Sequence, residues 1–169
     1  MKVLIIEDKP GHLQAMQAVL IRAGHEVFPS SVEREKLNEH IIACFETGVD
    51  VFYVKEATDY IQSYIDGINP DLVLVDYELK ENTDCVIGTS FIETFLEEKN
   101  IVIVTGQTDS MLNNDIIASI GKPYPGTRRE VCFKDKDVSP KFLRLLMEKV
   151  KLFENDDEDK AVKWREQQP

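Results

Sequence analysis

Three acids carry most of the chemistry this sequence can offer. Glu7 and Asp8 follow the apolar run Val3-Leu4-Ile5-Ile6, and Asp76 ends Leu72-Val73-Leu74-Val75. Two carboxylates about 4 Å apart repel by roughly 4 kcal/mol at an effective dielectric constant near 20, so a proton or a cation must accompany them. Mg2+ suits such a cluster, being a hard ion that takes oxygen ligands and bridges one or two carboxylates to phosphate. A site of this kind can hold Asp76 as a nucleophile toward a phosphoryl group, since carboxylates do form aspartyl phosphates. Thr105, after Ile101-Val102-Ile103-Val104, offers a hydroxyl, and Lys134 or Lys136 offers an ammonium for the transferred oxygens. Taken singly, each of these residues reads as a solvated acid, a strand threonine or a surface lysine. Three acids at one sheet edge are harder to explain that way.

The elements that must position them follow from the patterning. Leu72 to Val75 is apolar without alternation and is started by Asn69-Pro70-Asp71, which fits a strand buried on both faces. Residues 2–6 and 101–104 read the same way, and Val131-Cys132-Phe133 gives a last core strand. Helices are expected over Pro10 to Ala23, Ser30 to Gly48, Thr58 to Ile68 and Gly88 to Glu98, each with apolar residues at three- and four-residue spacing. Ser139-Pro140 starts a further helix, with Phe142, Leu143, Leu146, Val150 and Phe153 on its apolar face. The second strand stays open between residues 25–28, residues 49–54, or both. Asp109 to Ile120 offers a short helix, and Lys80 to Cys85 and Gly121 to Gly126 read as loops. Strands alternating with helices predict a doubly wound α/β sheet, whose ligands bind beyond the strands' carboxyl ends.

The formal charge of −11 argues against non-specific binding to nucleic acid or anionic lipid. Cys44, Cys85 and Cys132 show no metal-type spacing, and no apolar run is long enough to span a membrane. A strand beginning at residue 2 leaves no room for a signal peptide, so the cytoplasm is the expected compartment. Glu154-Asn155-Asp156-Asp157-Glu158-Asp159 packs five like charges into six residues, and residues 154–169 are expected to fray as an acidic tail. His12, His25 and His40 are scattered and read as surface or packing residues. Neither a Gly-x-Gly-x-x-Gly turn nor a Gly-rich loop ending in Lys-Ser or Lys-Thr is present.

The segments Val3 to Pro10, Pro70 to Tyr77, Ile101 to Gly106 and Phe133 to Asp137 together resemble a response-regulator receiver domain of two-component signalling. The resemblance covers residues 1–153 and implies a flavodoxin-like five-stranded parallel sheet of order 2-1-3-4-5. It leaves an inserted helical segment near residues 29–48 that the family pattern does not explain. It further implies that Glu7 and Asp8 hold Mg2+ together with Asp76 and the backbone carbonyl of Glu78. Asp76 matches the phospho-accepting aspartate, Thr105 the hydroxyl that contacts the phosphoryl group, and Phe133 the aromatic that swings inward on activation. The ion-pairing lysine is expected at Lys136, because Phe133 then takes the aromatic position and Leu143 falls seven residues later on the last helix. Lys134 is its near competitor. The loop after Asp76 departs from the family: Lys80 stands where a proline is usual, and the glycine comes later, at Gly88.

The expected function is therefore a phosphorylatable switch, fed by a histidine kinase or phosphotransfer protein and acting on a protein target as a monomer or weak homodimer. It is not a turnover enzyme. A pseudo-receiver that binds partners without phosphate is the alternative from a different class. An Mg2+-dependent phosphohydrolase with Asp76 as nucleophile and Glu78 as acid fits poorly, since Asp76 follows the third strand candidate rather than the first.

Overall fold

The computed structural model describes residues 1–45, 51–79, 87–106, 125–135 and 138–166. Its elements run β1 (Lys2–Ile6), α1 (Pro10–Arg22), β2 (Glu26–Phe28), α2 (Ser31–Phe45), α3 (Val51–Ile68), β3 (Leu72–Asp76), α4 (Ile87–Phe95), β4 (Ile101–Thr105), β5 (Arg129–Phe133) and α5 (Pro140–Glu166). The strands form one sheet of order β2-β1-β3-β4-β5 with every neighbouring pair parallel. This is the doubly wound, flavodoxin-like arrangement expected from the sequence.

The three central strands are unalternating because both of their faces are covered. Successive side chains point to opposite faces. Val3, Ile5, Leu72, Leu74, Val102 and Val104 accordingly pack with Leu13, Met16 and Leu20 of α1 and Phe142, Leu146 and Val150 of α5. Leu4, Ile6, Val73, Val75, Ile101 and Ile103 face the other way, onto Leu37 and Ile41 of α2, Ile61 and Ile65 of α3, and Phe91 and Ile92 of α4.

The second strand is Glu26–Phe28, paired through Lys2 with Glu26, Val3 with Val27 and Leu4 with Phe28. The competing segment is helical over residues 51–54, since α3 begins at Val51. Its alternation is short, whereas Ala57, Ile61, Ile65 and Ile68 form a buried stripe at helical spacing that decides the segment's conformation. Thr58, expected to begin this helix, lies inside it and donates its hydroxyl to Val54 O at 2.8 Å. Helix α2 is the insertion. Ser30 starts it with a capping box: Ser30 N donates to Glu33 Oε2 at 2.8 Å, and Glu33 N to Ser30 Oγ at 3.4 Å. With α3 it makes a helical hairpin over one face of the sheet. Asn69, at φ 47°, ends α3 in the left-handed region that Asn tolerates and turns the chain into β3.

Helix α5 continues to Glu166, through the acidic run where the sequence alone predicts fraying. The helix-favouring residues Lys160, Ala161, Lys163, Arg165 and Glu166 follow that run. The expected loop at 80–85, the expected helix at 109–120 and Lys136 lie outside the described residues.

Candidate functional site

Parallel register brings four strand ends to one edge. Ile6 pairs with Val75, Asp76 with Val104, and Thr105 with Phe133, so Glu7, Asp76, Thr105 and Lys134 stand at or just past neighbouring strand termini. The ladder runs on beyond the strands: Tyr77 N donates to Val104 O at 2.8 Å and Lys134 N to Thr105 O at 2.7 Å. All four residues are buried, with Glu7 1%, Asp76 2%, Thr105 0% and Lys134 6% exposed.

Carboxylate oxygens of Glu7, Asp8 and Asp76 lie within 4.8 Å of one another. This is a group able to hold a metal ion. Lys134 Nζ stands 2.5 Å from Asp76 Oδ2 and 3.2 Å from Glu7 Oε2. Lys134, the near competitor of Lys136 in the sequence, thus brings an ammonium to both acids, while Lys136 lies outside the described residues. Strand β5 stops at Phe133, so the first residue past it is the one that turns into the pocket. A pairing lysine at position 134 also shifts the aromatic position. Phe133 directly precedes the pairing lysine and is 40% exposed, while the residue three places before Lys134 is the half-buried Val131.

Backbone amides fix the carboxylates. Lys9 N donates to Glu7 Oε1 at 3.0 Å as the chain enters α1, and Glu78 N donates to Asp76 Oδ1 at 3.2 Å. Glu78 therefore folds its peptide over Asp76, while its own carboxylate is not part of the acidic group. Burial, and next the charge of Asp76, push the Glu7 carboxyl up to about 8, against the opposing pull of Lys134. Near neutral pH Glu7 holds a proton, because it is buried beside the charge of Asp76 and one ammonium does not offset both effects. A divalent cation would supply compensating charge, and three converging oxygen donors are the ligand type that Mg2+ accepts.

Two contributors were not legible as such in the sequence. His12 sits one turn into α1 with Nδ1 3.5 Å from Glu7 Oε2 and its side chain 16% exposed. Burial, then Lys134 and Lys9, lower its pKa and favour the neutral ring. The signal was its position: a helix beginning straight after Asp8 lays its first turn over the acids. The second is Gly88. A Cβ there would stand 2.5 Å from Asp76 O and 2.8 Å from Tyr77 Cα and O, distances that real Cβ atoms do not show. The late glycine thus lets α4 press on the peptide that carries Asp76.

No family model matches the sequence, and neither does any curated protein. Solved structures do share its fold. The signal receiver domain of a putative Luxo repressor protein from Vibrio parahaemolyticus aligns with TM-score 0.52 and 13% identity, over 95% of this chain and 95% of that one. The BeF3-activated N-terminal receiver domain of Klebsiella pneumoniae RstA aligns with TM-score 0.50 and 17% identity, over 90% of this chain and 97% of that one.

Proposed function

We propose that this chain, which has the receiver-domain fold, is a phosphorylatable signalling switch that accepts a phosphoryl group on Asp76. The observation that carries the reading is the buried ion pair of Lys134 with Asp76, set beside the carboxylates of Glu7 and Asp8. Mg2+ bound by Glu7, Asp8, Asp76 and the Glu78 carbonyl would neutralise phosphoryl oxygens. In the transfer the P–N bond of a phosphohistidine, or the P–O bond of a small acyl phosphate, breaks as a bond from phosphorus to an Asp76 oxygen forms. A phosphohistidine donor leaves as imidazole after taking up a proton.

Before transfer Asp76 is oriented by Lys134 on Oδ2 and by the Glu78 amide on Oδ1. Afterwards the ammonium is close enough to follow the new phosphoryl oxygens, and the buried Thr105 hydroxyl stands at the next strand end to receive one. Such preorganised donors act strongly where water is excluded. The donor is a histidine kinase or phosphotransfer protein and the output a change in affinity for a protein partner. Use of such donors places the chain in the cytoplasm, and no helix among the described residues is long and apolar enough to cross a membrane.

A phosphate-independent binding module is the second reading, favoured by Val131 in place of an aromatic before Lys134. Intact-mass measurement after treatment with an acyl phosphate separates the two. The switch takes up one phosphoryl group only with Mg2+, keeps it in Asp71→Asn and loses it in Asp76→Asn. No adduct on the wild-type chain leaves the binding module.

A further inference from the structure

A second hollow, of about 270 Å³, lies between α2 and α3, lined by Glu39, His40, Ala43, Glu56 and Ala57. It falls below the roughly 300–1,000 Å³ of ordinary small-molecule pockets, so it suits a side chain better than a cofactor. Ala43 and Ala57 leave the space that larger side chains would fill, and they give it an apolar floor.

The polar groups around that floor are acceptors. His40 Nδ1 donates to Lys36 O at 2.7 Å, since a carbonyl can only accept. Nε2 is then the ring nitrogen not committed to Lys36 O. The ring is fixed by stacking on Tyr60, with centroids 4.1 Å apart. Glu39 and Glu56, one from each helix, have no hydrogen-bond or ion-pair partner among the described residues. Lys36 is turned onto the Tyr60 ring with its Nζ 4.6 Å from the centroid.

A complementary ligand has an apolar stem for the alanines and a cationic head with only donors. A guanidinium meets this better than an ammonium, because its planar fork can serve carboxylates on two helices at once. The chain's formal charge of −11 favours approach of a basic partner. We infer that the α2–α3 groove is a docking site for an arginine side chain presented by a basic partner protein.

The test is an NMR titration of the full-length 15N-labelled chain with N-acetyl-arginine amide, and in parallel with its citrulline and lysine counterparts. Arginine amide is expected to give saturable shifts centred on residues 39–43 and 56–60. Citrulline keeps the shape and loses the charge, so its binding should be at least about tenfold weaker, equivalent to about 1.4 kcal/mol. The double variant Glu39→Gln/Glu56→Gln, checked for unchanged circular dichroism, should weaken arginine binding by a similar factor. Non-saturating shifts, equal binding of citrulline, or an unaffected double variant overturn the site. Equal binding of the lysine amide overturns the arginine assignment. None of these readouts depends on phosphorylation of Asp76.

Discussion

Gly88 and Asp76 meet backbone to backbone: a Cβ on the glycine would fall 2.5 Å from the aspartate's carbonyl oxygen. Helix α4 is thereby seated on the peptide that presents the proposed nucleophile. Gly88→Ala must push the helix or the strand end aside. A loss of about 1–3 kcal/mol is expected from overpacking a site that cannot yield freely. Urea denaturation measures it, and phosphoryl uptake should slow in the same variant. An unchanged midpoint would show that the two backbones separate at no cost.

Lys134 and Lys136 are separable by substitution. Lys134→Ala removes the ammonium from Glu7 and Asp76 and should slow phosphoryl transfer at least about tenfold, the rate equivalent of 1.4 kcal/mol of lost transition-state stabilisation. Lys136→Ala should stay within about twofold of the parent if Lys134 is the pairing lysine. Reversed rankings in a timed acyl-phosphate assay would return the role to Lys136.

The acidic pocket gives a pH dependence with a defined sign. Folded, Glu7 keeps its proton up to about pH 8, whereas an exposed glutamate loses its proton near pH 4.5. Between those values the folded state binds more protons than the unfolded one, so metal-free stability falls as pH rises. Melting temperature without metal should therefore drop between about pH 5 and pH 8, and Glu7→Gln should flatten that slope. Added Mg2+ should raise the melting temperature more at pH 8 than at pH 6, because it competes with the Glu7 proton. Burial lowers His25, so its contribution is lost only on acidification, in the opposite direction. A metal-free slope that Glu7→Gln leaves untouched would remove Glu7 as its source.

Tyr77 and Leu79, just past Asp76, are buried in the same cluster as Leu37 and Ile41 of α2 and Ile61 and Ile65 of α3. Loading Asp76 with beryllofluoride and Mg2+ should therefore move methyl resonances in the α2–α3 hairpin. Leu79→Ala should weaken that response and cost about 2–5 kcal/mol of stability. Shifts confined to β4, β5 and α5 would instead route the signal away from the insertion.

The sequence by itself determined the layered α/β architecture, because a strand covered on both faces cannot alternate and a covering helix must show its stripe. It also determined which acids could matter, since Glu7, Asp8 and Asp76 each end an apolar run. Tertiary structure decided what local patterning leaves degenerate. Residues 51–54 have strand-like composition yet join a helix, because the buried stripe from Ala57 to Ile68 outweighs a short alternation. Lys134 and Lys136 have the same parity, and only the end of β5 at Phe133 showed that Lys134 reaches Glu7 and Asp76. Gly88 reads as a displaced family glycine until its missing Cβ is found against Asp76. His12 reads as a surface residue until the α1 turn is laid over Glu7. In each case the deciding quantity is a distance between segments far apart in the chain, which no local pattern contains.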